Sequence, residues 1–570
     1  NEGSPTASLD PLMKGDQETK EAEVVTTASR EYDIIIIGAG PNGLEIAAYL
    51  AKAGQKVLIL EKRYEAGGGL ATEQVTLPDF FHNTHAIFHM MVDYAPVYQD
   101  FRFEEVYGVK HILPDLQWVY ITPDHRPLCI YHDLEKTVQS FAQFSQKDAN
   151  AYREWYKECD ELMRELVGPQ TFVKPEPAPL MAARAMSSEI GRKLSEYAER
   201  TPEEVIKERF ENDAVRTLIL YGVCHWGLDY SQSGVGYLIP LYFNRMSNYR
   251  LVAGGSHRVS NALLKNVFEN QGQIRTSAQI KRIIVENNTA KGVELEDGTQ
   301  YFARKAVVST IDIHQTFLKL VGEDKLDPDF VGMVKIWQWE KWSLCDLHLA
   351  LAQAPHFKAA DKNPDVDRSF MYVLGYESSA DLIHEWDLMD KGELPSTAGY
   401  IASFPSIHDP YLAPPGKCAG LLSQMAPFEL KDGGSEKWLK YRFRQEIADY
   451  QLRTLGKYAP NMTRDQVLWW NLTTPADIQN KFANMVRGSY KQGQYHPLQM
   501  GYLRPNQECS HNTTPVKNLF VGGAGVWPGG CVIWGPGYNC ANTIAEVCAI
   551  PKWWQEPPMV IKAREKGYIL

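Results

Sequence analysis

The sequence predicts an α/β protein with a Rossmann-type dinucleotide-binding domain and a second domain of mixed α+β type. Three observations carry this prediction: a strand–turn–helix–strand unit at residues 32–61, a second strand–glycine loop–helix unit at residues 518–547, and a length of 570 residues. A chain of that length is expected to form two or more domains with ample core.

The first unit begins with Tyr32 to Ile37, a β-branched and apolar run that is typical of a buried parallel strand. Three glycines follow with the spacing G-x-G-x-x-G: Gly38, Gly40 and Gly43. The first permits a tight turn, the second lets the backbone approach a pyrophosphate, and the third lets helix and strand pack closely. Pro41 and Asn42 open a predicted helix that runs to Ala53 and directs its free amides at the phosphates.

The predicted second strand, Val57 to Leu60, ends at Glu61. A carboxylate at this position can accept hydrogen bonds from both hydroxyls of an adenosine ribose, and Lys62 follows it directly. A second glycine loop then comes, Gly67 to Gly69, followed by Leu70. Such a loop can place backbone amides against cofactor phosphates or a ribityl chain, and a plain surface turn is the alternative.

The last informative stretch favours FAD over NAD as the cofactor. Leu519 to Val521 is a predicted buried strand, a glycine loop follows, and Pro536 to Val547 is a predicted helix. This unit again aims backbone amides at an anionic or electron-rich ligand. FAD is long enough to need a unit of this kind at each of its two ends, whereas an NAD-binding protein does not need a second, distant glycine loop. The cofactor-binding residues expected here are Gly523, Gly525, Gly530, Cys531 and Val532.

Composition excludes several function classes. A formal charge of −11 argues against nucleic-acid binding, which needs a basic field. Nine cysteines without a C-x-x-C pair predict neither a disulfide framework nor a zinc site, and they favour a reducing, cytoplasmic location. No apolar run approaches the ~18 residues of a membrane span. Residues 1–30 are polar and predict a disordered tail, with a processed targeting segment as the alternative.

Several of these motifs resemble the phytoene desaturase and carotenoid isomerase superfamily of FAD proteins. The matching segments are Gly38 to Gly43, Glu61-Lys62, Gly67-Gly68 with Thr72, Thr474 to Ile478, Gly523 to Gly525, and Pro528 to Gly530. The sequence departs from the family at Gly69, where an arginine is usual, and at Trp534, where many relatives have small residues. The resemblance implies a glutathione-reductase-like FAD-binding domain in which a backbone group near Ile280 binds the adenine.

The resemblance also implies that the FAD-binding domain is assembled from three separated segments of the chain. The predicted division is a tail (1–30), the first FAD-binding segment (31–105), a substrate or cap region (106–250), the second FAD-binding segment (251–314), a substrate domain (315–477), the third FAD-binding segment (478–550) and a C-terminal tail (551–570). The stretch 234–245, rich in aromatic residues, is expected to form either a pocket wall or a core strand.

The predicted function is an FAD-dependent oxidoreductase of the desaturase or dehydrogenase type. The sequence contains no evident pair of charged catalytic residues. This is consistent with a hydrophobic terpenoid or polyene substrate that has few polar groups. Trp534, Tyr538 and Tyr242 are expected in the substrate pocket, and His85 is the candidate acid or base, with a structural role as the alternative. On a helix, His85 and His89 would share one face as a zinc pair, but no nearby acid or cysteine completes a site, so no metal site is predicted.

Three alternatives to this function stay open. They are a flavin-dependent double-bond isomerase, a flavin-holding protein that acts through partners, and an amine oxidase, to whose aromatic cage Tyr538 could contribute. The basic and apolar segment 177–197 predicts either peripheral membrane contact or a solvated helix. The electron acceptor and the oligomeric state have no signature in the sequence.

Overall fold

The computed structural model describes residues 30–395 and 399–570, so the predicted tail lies, apart from Arg30, outside the described residues. The strands, in chain order, are β1 (Glu31–Ile37), β2 (Val57–Leu60), β3 (Thr72–Glu73), β4 (His82–Asn83), β5 (His111–Ile112), β6 (Leu116–Ile121), β7 (Pro127–Tyr131), β8 (Leu251–Val252), β9 (Gln273–Arg275), β10 (Ile280–Glu286), β11 (Thr289–Leu295), β12 (Gln300–Ser309), β13 (Trp342–Leu351), β14 (Met371–Leu374), β15 (Tyr400–Ser403), β16 (Cys418–Pro427), β17 (Val467–Thr473) and β18 (Leu519–Val521).

The α-helices, in the same order, are α1 (Pro41–Lys52), α2 (Pro96–Asp100), α3 (Phe103–Tyr107), α4 (Leu134–Ala142), α5 (Gln146–Leu162), α6 (Gly168–Thr171), α7 (Ala178–Met186), α8 (Glu189–Ala198), α9 (Pro202–Arg209), α10 (Asp213–Cys224), α11 (Ile239–Arg245), α12 (His257–Glu269), α13 (Pro328–Lys335), α14 (Ser379–Asp390), α15 (Tyr441–Tyr458), α16 (Pro475–Lys481), α17 (Gly535–Val547) and α18 (Pro558–Glu565).

The first sheet has a parallel centre in the order β9-β2-β1-β12-β18, and β10 and β11 extend it as an antiparallel meander beyond the first half of β12. Ile34 and Ile36 of β1 are buried in one core and Ile35 and Ile37 in another. Both faces of β1 are therefore covered, which explains why its sequence is continuously apolar rather than alternating. Helix α1 packs against α12 and α17 on one of these faces.

The second sheet is mixed and has the order β17-β13-β16-β15-β14-β6-β7. Strands β6 and β14 pair in parallel, and the other neighbours are antiparallel. Cys345 and Leu347 of β13 lie in the core of this domain, whereas Trp342 and Leu344 contact the core of the first domain. Alternation along β13 thus turns one face of the second sheet toward the dinucleotide-binding domain.

The local predictions agree with these bounds at both ends of the chain, where β1, α1, β2, β18 and α17 occur as expected. Helix α9 begins with a capping box, in which Thr201 accepts from the Glu204 amide and the Glu204 side chain accepts from the Thr201 amide. The prediction for residues 234–245 was wrong where it proposed a strand, because Ile239–Arg245 is a buried helix. An apolar run of this length has no period that separates strand from buried helix.

Strands β6 and β7 come from the predicted cap region, yet they join the sheet formed by the predicted substrate domain. The domain boundaries therefore stay predictions.

Within residues 30–395 and 399–570, no helix has the length and apolar character that crossing a membrane requires.

Candidate active site

A cleft of about 450 Å³ runs between the glycine turns of the first domain and the facing side of the second sheet. It gathers residues from both predicted glycine units and from the segments between them. The predicted site residues that line it are Gly38, Gly40, Pro41, Asn42, Gly43, Glu61, Lys62, Gly68, Gly69, His85, Ile280, Gly530, Cys531 and Val532.

The turn between β1 and α1 has the geometry that a pyrophosphate site requires. Gly38 has a φ of 95°, which favours glycine, and a Cβ on Gly43 would lie 2.1 Å from the carbonyl oxygen of Gly38. A Cβ on Gly40, in contrast, would meet nothing within 4 Å, because Gly40 faces open space. A different constraint therefore explains why each of the three positions is a glycine. The space beside Gly40 is where a phosphate group can approach the backbone.

Glu61 is held in place at the end of β2. Its Oε2 accepts a hydrogen bond of 2.8 Å from the Ala39 amide, and its Oε1 accepts one of 2.8 Å from the Arg63 amide. Each carboxylate oxygen keeps a further acceptor position for a ribose hydroxyl. The Glu61 carbonyl accepts from the Ala278 amide at 2.8 Å, which brings the segment that leads to Ile280 to the same end of the cleft.

The second glycine loop packs onto the first. The Gly67 amide donates to the Ala39 carbonyl at 2.8 Å, and the Leu70 amide donates to the Gly67 carbonyl at 2.9 Å. Gly67 and Leu70 thus shape the loop and stay outside the cleft lining, while Gly68 and Gly69 line it.

The C-terminal turn places backbone beside the cleft in an unusual conformation. Cys531, Val532 and Trp534 have φ values of 65°, 52° and 66°. The β-branched Val532 rarely adopts this left-handed region, and such residues concentrate at ligand-binding sites. Gly523 and Gly525 lie behind this turn, outside the lining, and a Cβ on Gly523 would come within 2.3 Å of the Thr310 carbonyl oxygen.

A buried lysine supports the same turn and had no signal in the sequence. Lys491 lies against Gly530, whose Cβ position is 2.7 Å from the Lys491 Cα. Its Nζ donates to the carbonyls of Trp226 and Gly227 at 3.3 and 3.0 Å, and burial lowers its pKa. The carboxylate of the buried Glu340 accepts from the Lys491 amide at 2.7 Å. The side chain of Lys491 therefore supports the turn from inside the protein, next to the buried carboxylate of Glu340.

Part of the cleft lining is apolar and aromatic. Its walls comprise Phe88, Trp226, Leu344, Phe482 and Tyr490, which come from five separate stretches of chain. Phe88 stacks on Tyr249 with ring centroids 3.9 Å apart, and this contact fixes the plane of its ring. None of these wall residues belongs to a sequence motif, so the sequence could not identify them.

His85 also lines the cleft. Its ring contacts Phe482 edge to face at 4.8 Å, and its Nε2 is buried without a hydrogen-bond partner. Burial, together with the positive charges of Lys481 and Arg63, holds the pKa of His85 well below its usual value. His85 is therefore a neutral imidazole that faces the cleft.

Comparisons with known proteins agree with this geometry. The model of the NAD(P)-binding Rossmann-like domain matches residues 36–102. The chain is 36% identical to a subunit of limonene dehydrogenase from Castellaniella defragrans, over 95% of this chain and 99% of that protein. It is 24% identical to the chloroplastic prolycopene isomerase of Daucus carota, over 95% and 84% of the two chains.

The chain belongs to the carotenoid desaturase-like superfamily of FAD-dependent oxidoreductases. Among solved structures, putrescine oxidase bound to putrescine has the same fold, with a TM-score of 0.58, 13% identity, and coverage of 91% of this chain and 99% of that one. The predicted fold class, the oxidoreductase class and the FAD cofactor are confirmed.

The residues of this FAD-dependent oxidoreductase fit the cofactor. Glu61 and Ile280 would hold the adenosine end, the open face of Gly40 would receive the pyrophosphate, and the turn at Cys531 would meet the ring. Bound FAD supplies a hydride acceptor at N5 of its ring. The chain would contribute an apolar lining that limits water around the ring, and backbone amides of the turn at Cys531 could stabilise negative charge on the reduced flavin.

The three predicted substrate-pocket residues lie outside this cleft. The Trp534 indole donates to the Tyr98 hydroxyl at 2.9 Å, which holds the side chain in the core. Tyr538 packs edge to face on Tyr49 at 5.7 Å. Tyr242 lines a separate cavity of about 20 Å³ that reaches the cleft lining only at Gly530. The expected substrate-pocket role does not agree with these positions.

His85 and His89 do not share a helix face in the structure. Both residues lie outside any helix, and the His89 Nδ1 is 3.1 Å from the Tyr98 hydroxyl. In the described part of the chain, no group of three or more His, Cys, Asp or Glu side chains has an arrangement suited to a metal ion.

Proposed function

We propose that this protein removes a hydride from a CH–CH or allylic C–H group of a hydrophobic terpenoid or polyene and delivers it to N5 of FAD. The apolar lining of the cleft carries the proposal, because its aromatic side chains line the same cleft as the glycine turns. A substrate held there would lie with its C–H bond close to the ring, at the roughly 3–3.5 Å that hydride transfer requires.

The cations near these aromatic residues are paired with other groups of the protein, which favours an apolar substrate. Lys481 is paired with Glu73, and the Arg63 guanidinium stacks over the Phe482 ring at 4.8 Å and pairs with Glu65 at 2.7 Å. The cations are thus engaged by the protein's own groups. The relatives support the same class, since one is named for limonene and another for prolycopene.

An anaerobic screen tests the proposal. The FAD-loaded protein is mixed with monoterpenes, carotenoids and aliphatic amines without oxygen, and the visible flavin absorbance is followed. We expect a terpene or a polyene to bleach the flavin and to leave as a product with two hydrogens fewer. Bleaching by amines alone would contradict the proposal and favour an amine oxidase.

A double-bond isomerase is the second candidate, and the similarity to prolycopene isomerase favours it. The two functions differ in their need for an electron acceptor. An isomerase converts its substrate with pre-reduced flavin, without an acceptor and without a change in substrate mass. An oxidoreductase that starts from oxidised flavin stops after one turnover when no acceptor is present, so the amount and mass of product per flavin separate them.

We also infer a peripheral contact between α7 and a membrane, for a protein that otherwise resides in the cytoplasm. Helix α7 has no buried residue, and the side chains of Leu180, Met181 and Met186 are exposed. Arg192, near this helix, would face anionic lipid headgroups. Sedimentation with anionic vesicles tests the contact: wild type is expected to pellet, and the Leu180→Ser, Met186→Ser variant to remain in the supernatant. Equal pelleting of both would contradict it.

A further inference from the structure

Gln492 lines the cleft beside the C-terminal turn. A Cβ on Gly525 would lie 3.7 Å from the Gln492 carbonyl oxygen. The preceding residue, Lys491, has its Cα 2.7 Å from the Cβ position of Gly530, which also lines the cleft. The segment that carries Gln492 is therefore packed directly against the turn that we expect to meet the flavin ring.

The backbone of Gln492 has a φ of 57°, in the left-handed region that residues other than glycine rarely adopt. The surrounding groups hold it there. The Glu340 carboxylate accepts from the amides on both sides, that of Lys491 at 2.7 Å and that of Gly493 at 3.2 Å. A conformation of this kind costs free energy, and residues that adopt one are concentrated at ligand-binding and catalytic sites.

The side-chain amide is the group that Gln492 can offer to a ligand. Both of its backbone polar groups are engaged inside the protein, because its amide donates to the Ser489 carbonyl at 3.1 Å and its carbonyl accepts from the Trp337 indole at 3.1 Å. The residue is only 6% exposed, and its Oε1 has no hydrogen-bond partner among the residues that the structure describes. A buried amide group left in this state is unfavourable until a polar partner reaches it.

The cofactor can supply this partner, and a hydrocarbon substrate cannot. The flavin ring of FAD carries nitrogen and carbonyl groups, whereas a hydrocarbon has no hydrogen-bonding atom. Two other lining residues also hold a buried polar atom without a partner, but both pack on aromatic rings. His85 contacts Phe482, and Trp226 contacts Phe88 with ring centroids 4.9 Å apart. Gln492, in contrast, lies against the C-terminal turn.

Arg504 fixes the Gln492 segment to the glycine loop of the C-terminal unit. Its guanidinium is fully buried, and Nη2 donates to the Lys491 carbonyl at 3.1 Å and to the Ala524 carbonyl at 2.9 Å. Ala524 lines the cleft together with Gln492. A single rigid group thus sets the separation between this loop and the residue that precedes Gln492.

We propose that the side-chain amide of Gln492 donates a hydrogen bond to the polar edge of the bound flavin ring and stabilises its reduced form. Rotation about the last side-chain bond exchanges the oxygen and nitrogen of an amide, so the –NH₂ group can be presented to the ring. The ring gains negative charge on reduction, and a fixed N–H donor favours the more negative state. This inference rests on the FAD cofactor and is independent of the proposed terpenoid substrate.

The simplest competing explanation is that the Gln492 side chain only fills space behind the turn. Gln492→Met distinguishes the two, because methionine is unbranched and of similar length but has no amide. Gln279→Met is the matched control: it removes an amide from an exposed position of the same cleft, next to Ile280, where we expect the adenosine end. FAD occupancy and thermal unfolding establish that each variant is folded and loaded.

Spectroelectrochemical titration of the FAD-loaded proteins measures the flavin midpoint potential, and the visible absorbance spectrum reports hydrogen bonding to the ring. We expect Gln492→Met to shift the equilibrium between reduced and oxidised flavin at least ~10-fold toward the oxidised form, which lowers the midpoint potential of this two-electron couple by about 30 mV. The absorbance maximum should shift as well. Gln279→Met is expected to match wild type in both measurements. A wild-type potential and spectrum in folded, FAD-loaded Gln492→Met would overturn the contact.

Gln492→Gly serves if Gln492→Met does not fold or does not retain FAD, because glycine adopts a φ of 57° without strain while it also removes the amide. The titration uses no substrate, so its result is separate from the screen of terpenes and polyenes. A lowered potential supports the Gln492 contact even if none of those compounds bleaches the flavin and the proposed function fails. An unchanged potential overturns the contact alone, even if terpenes do bleach it.

Discussion

Gly68 lies directly against Gly40, with a Cβ on Gly68 only 2.9 Å from the Gly40 Cα. The two glycine loops therefore form one surface, although each could be explained separately in the sequence. Gly68 has a φ of 53° and no space for a side chain, while the other side of Gly40 is open. This contact sets the depth of the open space beside Gly40, where we expect the pyrophosphate to bind.

A paired substitution tests that geometry. Gly40→Ala places a methyl group in open space, so we expect a folded apoprotein whose affinity for FAD is roughly 100-fold lower, about 2.8 kcal/mol. Gly43→Ala brings a Cβ within 2.1 Å of the Gly38 oxygen and should destabilise the fold itself by about 3 kcal/mol. Calorimetric titration with FAD and thermal unfolding of the apoproteins separate the effects. Equal FAD affinity in Gly40→Ala and wild type would contradict the pyrophosphate assignment.

Glu61→Gln tests the adenosine end. Because the backbone amides of Ala39 and Arg63 both donate to this carboxylate, an amide –NH₂ at the site would face a donor. We expect FAD affinity to fall by roughly 10- to 100-fold, about 1.4–2.8 kcal/mol. Glu286→Gln, at an exposed position of β10, is the control and should bind FAD normally. The prediction fails if the two variants bind FAD equally well.

Lys491→Met tests the buried charge behind the C-terminal turn. A positive charge next to Gly530 would favour the more negative, reduced form of the bound flavin. Its removal should lower the flavin midpoint potential by about 30 mV or more, which is about 1.4 kcal/mol for a two-electron couple. Spectroelectrochemical titration measures the potential. Lys62→Met, which removes an exposed lysine from the cleft, should change it far less because solvent screens that charge.

Asp346 makes the stability of the protein depend on pH. Burial raises its pKa to about 7, although a hydrogen bond from Ser423 opposes the shift. The folded state therefore loses stability as pH rises from the unfolded value near 3.8 toward 7, because only the unfolded chain ionises freely there. Asp346→Asn removes this loss, and its stability advantage over wild type should grow by about 2–3 kcal/mol between pH 5 and pH 8. Denaturant unfolding at both values measures it, and a constant difference would contradict the prediction.

The residues that line the cleft differ in whether the sequence alone identifies them. Gly38, Gly40, Gly43 and Glu61 line the cleft as the sequence predicts, because their spacing is a local pattern with local physical causes, and their binding of adenosine and pyrophosphate stays a prediction. Leu344 and Tyr490 were missed, since an apolar residue that lines a cleft looks like any core residue until the fold turns it toward the cofactor. Trp534 was misplaced because its hydrogen bond to Tyr98 decides its direction.

Short-range patterns were enough to identify the dinucleotide-binding units and the flavin cofactor, because strand, turn and helix signals act over a few residues. The second domain was expected from the length of the chain and the family resemblance. The packing of the two sheets determines instead which distant side chains come into contact. The rings of His82 and His348 lie 5.3 Å apart because β13 turns its outer face onto the segment after the second glycine loop. No short stretch of sequence encodes a contact of that kind, since each partner contributes only half of it.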